Sequence, residues 1–307
     1  MTLNTAIHQT LIYLDTCDFA PTFTELYRYL LYTEDEVTIP LLETIVRKSS
    51  SLSITHGYIT LTQRTTLAER RHNSYILTET KIERDKNIFR LLSMMPGVRG
   101  VWLCNTLGWG NAHTNSDTDL CVVAKRNHLW TARLFTTALL KILKRRPGEC
   151  ERARAICPSF YITDACTDLG SHRIASDDIH YAFWIMQMMP LYNPELFTTW
   201  AKAQKWSRRF FTHTPYVQPT SRRIVHLSIL IETLKHFFEK ITPERFVKRL
   251  QMQHMPEEII KAQPTGVVVL NDAILKLHTH DSRESVREHF YDSCRAHHVS
   301  TSLNFRS

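Results

Sequence analysis

CNTLGWGNAHTNSDTDLCVV, residues 104–123, sets two aspartates, Asp117 and Asp119, one residue apart at the head of an apolar run, behind a loop of small and polar side chains. Val101 and Leu103 precede the loop and an apolar segment over 120–123 follows it, so the stretch reads as strand, turn, strand. Residues i and i+2 of a strand face the same side, which places the two carboxylates on Cα atoms about 6–7 Å apart. At an effective dielectric near 20 their repulsion is of order 2–3 kcal/mol, so the arrangement calls for a cation between them. Hard carboxylate oxygens suit magnesium, or manganese in its place, and such an ion commonly takes one or two protein carboxylates together with substrate phosphates. An EF-hand is excluded: counting from Asp117, its glycine and glutamate positions hold Val122 and His128. A sugar-nucleotide glycosyltransferase and a plain pair of strand-end carboxylates remain open on the motif alone.

The upstream loop narrows the choice. Asn105, Thr106, Gly108, Gly110 and Asn111 follow a strand with small side chains and one hydroxyl, a composition whose backbone N–H groups can cradle phosphates. Ten residues after Thr106 comes Ser116-Asp117-x-Asp119-Leu120. This combination resembles the DNA polymerase beta-like nucleotidyltransferase superfamily, whose signature is a Gly-Ser turn followed by Asp-x-Asp. The resemblance implies that Asp117 and Asp119 bind catalytic magnesium and that the turn with Ser116 grips the phosphates of a nucleoside triphosphate such as ATP. A wider likeness, to bacterial nucleotidyltransferase-domain proteins with an N-terminal winged helix, rests on AICPSFYIT (155–163), DIHYAFWIMQMMPLYN (178–193) and LKLHTHDSRESVREHF (275–290). The chain departs from the superfamily in two places. Asn105 stands where the first turn glycine is usual, and the strand expected to carry a third carboxylate shows Cys157, Ser159 and Tyr161 instead. Glu149, Glu151 and Asp164 are the nearby acids.

Around this centre the chain reads as α+β in three parts. Ile7, Leu11 and Leu14 have helical spacing, Thr22-x-x-Glu25 is a capping box, and Leu42, Ile45 and Val46 line a third helix. Two short strands about His56-Gly57 follow, so residues 1–70 have the outline of a winged helix. The charged segment 71–96 predicts a long linking helix into a mixed-sheet domain over 71–170. Within that domain Asn127 is expected to cap a helix stopped by Pro147-Gly148. Residues 171–307 read as a helical domain, with HYAFWIMQMMPLY a buried helix ended at Pro190 and Ile224, Leu227, Ile231, Leu234 and Phe238 an apolar face. Trp130 reads as a packing residue, and Lys276, in the polar run after VVVL, as a phosphate ligand or one half of an ion pair.

Composition limits the setting. A net charge of +8 favours phosphate-bearing or polyanionic partners. Seven scattered cysteines form no C-x-x-C pair, so neither a disulfide framework nor a zinc ribbon is indicated, and Cys294 with His297 and His298 lacks a fourth ligand. The absence of a long apolar segment or leader points to a cytoplasmic protein with no membrane partner. No nucleophile elbow and no Walker loop is present. The sequence therefore points to transfer of a nucleoside monophosphate to a hydroxyl acceptor, an RNA or DNA end, a protein or a small molecule, or else to a degenerate transferase that senses nucleotide and binds nucleic acid or protein.

Overall fold

The computed structural model describes residues 1–213 and 221–306. Helices α1 (Leu3–Thr16), α2 (Phe23–Tyr29) and α3 (Ile39–Lys48) are closed by a hairpin of β1 (Leu52–Thr55) and β2 (Tyr58–Leu61). The Thr22/Glu25 box forms reciprocally: Thr22 N–H donates to Glu25 Oε2 at 2.8 Å, and Glu25 N–H donates to Thr22 Oγ1 at 3.2 Å. His56 and Gly57 both take positive φ, as a two-residue hairpin turn requires.

The long helix α4 (Thr66–Met94) follows, then β3 (Val98–Leu103), the single turn α5 (Asn105–Gly108), β4 (Thr118–Ala124), α6 (Leu129–Ile142) and β5 (Ile156–Thr163). The remainder comprises α7 (Ile179–Gln187), β6 (Met189–Tyr192), α8 (Pro194–Ala203), α9 (Lys205–Arg208), α10 (Ile229–Ile241), α11 (Glu244–Gln253), α12 (Glu257–Ala262), β7 (Val269–Leu270), β8 (Ile274–Lys276) and α13 (Arg283–Ala296). The fold is mixed α+β around one six-stranded sheet, order β6-β3-β4-β5-β8-β7, in which only β4 and β5 run parallel. Among the described residues no helix is long and apolar enough to cross a membrane.

Alternation along the strands divides the core. Trp102, Cys121, Val123, Phe160 and Ile162 face the N-terminal helices, α7, α8 and α13, whereas Val101, Leu103, Leu120, Val122, Tyr161 and Leu275 face α4, α6 and α11. The N-terminal unit is continuous with the first layer: Tyr13 stacks on Phe183 at 4.0 Å between centroids and its hydroxyl meets His180 Nδ1 at 3.0 Å.

Several expectations change. Residues after 170 do not form a helical domain apart, because β6, β7 and β8 supply half of the central sheet. The helix in 178–193 ends at Gln187, and Pro190 sits in β6 opposite Trp102. An edge strand tolerates a residue with no N–H to donate, which is why proline can stand there. Asn127 does not cap α6: it takes positive φ, and the free amides of Trp130 and Thr131 donate instead to Glu244, at 2.7 and 2.9 Å. Nor is α4 a solvated linker. Arg71, Ser74, Thr78, Lys81 and Asp85, spaced three and four apart, are buried along one face.

Candidate functional site

That polar stripe of α4 holds the loop between β3 and β4. Arg71 donates to the Gly110 carbonyl at 2.8 Å and to Glu25 at 2.9 Å. Thr78 Oγ1 accepts from the Ala112 N–H at 3.1 Å. Lys81 Nζ donates to the carbonyls of Ser116 and Ala153 at 2.7 and 2.8 Å, tying the residue before Asp117 to the segment before β5. Asp85 accepts from Arg145 at 2.7 Å, and both side chains are buried.

At the head of β4, Asp117 and Asp119 converge with Cys157, the partner of Asp119 across the parallel pair. One ligand atom from each of the three lies within 4.8 Å of the others. A register shift between Asp119 and Cys121 falls opposite Pro158, where a ladder hydrogen bond cannot form; such bulges re-aim neighbouring side chains. Asp119 Oδ2 accepts from Asn105 Nδ2 at 2.8 Å, and Asn105 Oδ1 accepts from Trp184 Nε1, also at 2.8 Å. Asn105 has φ +50°, a conformation asparagine tolerates better than most residues, so it keeps the turn and adds a side chain that orients Asp119. Burial pushes the Asp119 carboxyl up to about 6, and the neighbouring Asp117 adds to the rise against the opposing Asn105 bond. The nearest cation on Asp117 is Arg152, at 3.7 Å and largely exposed.

Cys157 is no substitute carboxylate. Burial, and after it Asp119, push its thiol up to about 11, so it stays protonated at neutral pH. Asp164 lies at the far end of the strand, where its carboxylate accepts from the Arg126 N–H at 2.8 Å. Five residues of β4 separate Asp119 from the Ala124 that pairs beside it, about 17 Å. Neither Glu149 nor Glu151 joins the carboxylate cluster among the described residues.

A cleft of about 200 Å³ opens from this point, lined among others by Asn105, Asp119, Ser159, Trp184, Lys276 and His278. Lys276 pairs with Asp281 at 2.7 Å, and Arg283 binds both Asp281 at 2.7 Å and Asp178 at 3.1 Å. His278 Nε2 is hydrogen-bonded to Ser159 Oγ. Burial, then the charge of Lys276, lower the His278 pKa, favouring the neutral ring.

The sequence-derived loop residues divide. Thr106 Oγ1 donates to Ser116 Oγ at 3.3 Å, and Ser116 Oγ accepts from the His113 N–H at 2.9 Å, so both stay beside the aspartates as loop supports. Gly108, Gly110 and Asn111 do other work. A Cβ on Gly108 meets the carbonyl oxygens of Gln187 and Leu103 at 3.0 and 3.1 Å, so close packing requires that glycine. Gly110, at φ +70°, presents its carbonyl to Arg71, and Asn111 Nδ2 donates to the Asp18 carbonyl at 3.2 Å. Gly110 and Asn111 tie the loop to the N-terminal unit, Gly108 packs it against α7 and β3, and none of the three lines the cleft. Trp130 is buried in the core, and His297 Nδ1 donates to the Ser293 carbonyl of its own helix; among the described residues it does not join Cys294 in a metal cluster. Sequence reading missed Lys81, the Trp184–Asn105 relay and the Ser159–His278 pair; only Lys81 carried a signal, as one member of the three-and-four polar spacing.

Comparison of the chain with protein-family models, with curated proteins and with solved structures finds no match.

Proposed function

We propose that the chain is a single-metal nucleotidyltransferase that moves a nucleoside monophosphate from a triphosphate to a hydroxyl acceptor and releases pyrophosphate. The observation that carries this reading is the convergence of Asp117 and Asp119, the second of which lines the cleft, with Arg152 as the one cation paired with either carboxylate among the described residues. The donor set suits one hard divalent ion: two carboxylates lie together, one of which clings to a proton because it is buried and its neighbour is negative, beside a thiol that stays neutral. When bound, magnesium supplies charge neutralisation at the phosphates. The rest falls to the protein. Trp184, at the cleft wall, holds Asn105, which in turn orients Asp119. Lys276, although paired with Asp281, faces the same space and can share its charge with a phosphate. With no third carboxylate on β5, His278 is the neutral base facing the cleft for the acceptor proton. The three-helix and hairpin unit at the N-terminus is read as a winged helix and the sheet as the polymerase beta-like domain.

A second reading has its own support. The protonated thiol in place of a third acid, and the side chain of Asn105 in place of a glycine, favour a domain that binds nucleotide without turning it over. Calorimetry with each nucleoside triphosphate, with and without magnesium, beside a pyrophosphate-release assay supplied with candidate acceptors, separates the two. Metal-dependent binding together with pyrophosphate supports the enzyme; binding with none supports the sensor. Binding unchanged in Asp117→Asn removes both.

A further inference from the structure

The helix α10 is turned inside out. Its inward residues are Lys235 and Glu239, only 2% and 1% exposed, whereas Leu230, Leu234, Phe237 and Ile241 face outward at 78%, 54%, 58% and 58%. The polar side is committed to the protein. Lys235 Nζ donates to the Ser93 carbonyl at 3.0 Å, and Glu239 accepts from Gly97 N–H and Arg99 at 3.1 and 2.7 Å and pairs with Lys125 at 3.3 Å. The helix therefore cannot roll to bury its apolar stripe without stranding two buried charges. Of the apolar face predicted from sequence, Ile224 is buried and Leu227 and Ile231 are partly covered, but Leu234 and Phe238 are exposed.

We propose that this face is covered by a second copy of the chain, in a two-fold dimer with α10 packed antiparallel against α10 of the partner subunit. The stripe 230, 234, 237, 241 has spacings of four, three and four, which is the seam of an antiparallel coiled coil and reads the same in both directions. A two-fold axis between 234 and 237 sets Leu230 against Ile241 and Leu234 against Phe237, so one patch satisfies itself, as an isologous contact must. In the same register Lys240 falls opposite Ile231, while Glu232 and Glu239 are held inward by Tyr192 and Arg99, so like charges are not driven together. Exposed Ile229 and Phe238 bring the exposed apolar side chains of α10 to six. At about 100 Å² each this is roughly 600 Å² per subunit, within the range of a specific stable interface and at the upper end of what a monomer ordinarily leaves bare.

Sedimentation equilibrium of the full chain tests the proposal independently of any enzymatic reading. The expected result is a species of twice 35.9 kDa whose melting temperature rises with protein concentration. Leu234→Glu should give a monomer with an unchanged far-ultraviolet circular dichroism spectrum. Adding Phe237→Lys to that variant should restore the dimer, because 234 meets 237 across the axis. A wild-type monomer up to the solubility limit overturns the proposal, whether or not any variant folds. So does a dimer indifferent to Leu234→Glu, or a monomeric protein that floats with anionic phosphatidylserine vesicles, which assigns the patch to a lipid surface.

Discussion

Replacing Asp119 with Asn should make the metal-free protein more stable at neutral pH, because the native fold holds this carboxyl as an acid and resists its ionisation. Its pKa is raised from the ordinary 3.8 to about 6, by burial and then by Asp117. Below about pH 4 the group is protonated in both folded and unfolded chains and contributes no difference. Between about 4 and 6 the unfolded chain releases the proton while the folded one keeps it, so stability falls as the pH rises, and above 6 the full penalty is present. At 1.36 kcal/mol per unit the ceiling is ~3 kcal/mol, and solvent at the cleft mouth reduces it to roughly 1–3 kcal/mol. Asparagine carries no charge to bury and can still accept from Asn105.

Urea denaturation from pH 4 to pH 8 reads the difference directly. Wild type and Asp119→Asn should coincide near pH 4 and separate by roughly 1–3 kcal/mol above pH 6.5. Magnesium should then reverse the order. A ligand at a hundred times its Kd stabilises the native state by about 2.7 kcal/mol, and only the chain with both carboxylates should show that gain. Parallel pH curves, or an equal magnesium shift in both proteins, refute the reasoning that one ion sits between the two aspartates.

Three other changes probe the surroundings. Cys157→Asp, adding a third carboxylate beside Asp119, should lower stability in the absence of metal and tighten magnesium or manganese binding at least tenfold by calorimetry; weaker binding contradicts the placement of residue 157. His278→Gln should leave nucleotide affinity within about twofold, since it alters only proton acceptance, while reducing turnover by about a hundredfold and abolishing the acidic limb of its pH profile. Arg99→Met leaves the buried Glu239 with the Gly97 N–H, Lys125 and His236 but without its bidentate partner, and should cost about 3–4 kcal/mol in urea denaturation. Burial alone raises the Glu239 pKa, but the Arg99 bonds hold it far below the ordinary 4.5, so the pair's contribution is present above that value and lost as pH falls. The Arg99→Met variant should show a shallower acid transition.

Local signals were readable where one short segment decides the geometry. The Thr22/Glu25 box, the His56-Gly57 turn and the strand bearing Asp119 each depend on neighbours within four residues, and the aspartates were found that way. The long helix α4 was legible as a helix but not as a spine, because its buried face carries Arg71, Ser74, Thr78, Lys81 and Asp85 in place of apolar residues. Hydrophobic periodicity cannot report a face whose burial is secured by hydrogen bonds to a loop thirty to forty residues away. The cap of α6 failed for the same reason: Asn127 has the right chemistry nearby, but Glu244 arrives from another helix with two oxygens. The strands β6 and β8 were hidden among helices since each has at most four residues and is defined only by its neighbours in the sheet.

The cations around the cleft explain why the aspartate pair is left for a ligand. Lys81 is spent on two carbonyls, Lys276 on Asp281, and Arg283 on Asp281 and Asp178, each bond fixed within the fold. A counter-ion built into the protein would have needed only one of these to turn toward Asp117. The one that approaches is Arg152, 77% exposed and 3.7 Å away, an association of the screened surface kind worth about 0.2–1 kcal/mol. A divalent ion entering the site must displace it. Arg152→Ala should therefore tighten magnesium binding by up to about fivefold at low ionic strength, the equivalent of the upper end of that energy, and the advantage should disappear in high salt. Weaker binding in Arg152→Ala means that the guanidinium helps to assemble the site instead of competing for it, and the two aspartates are then not the complete receptor for the ion.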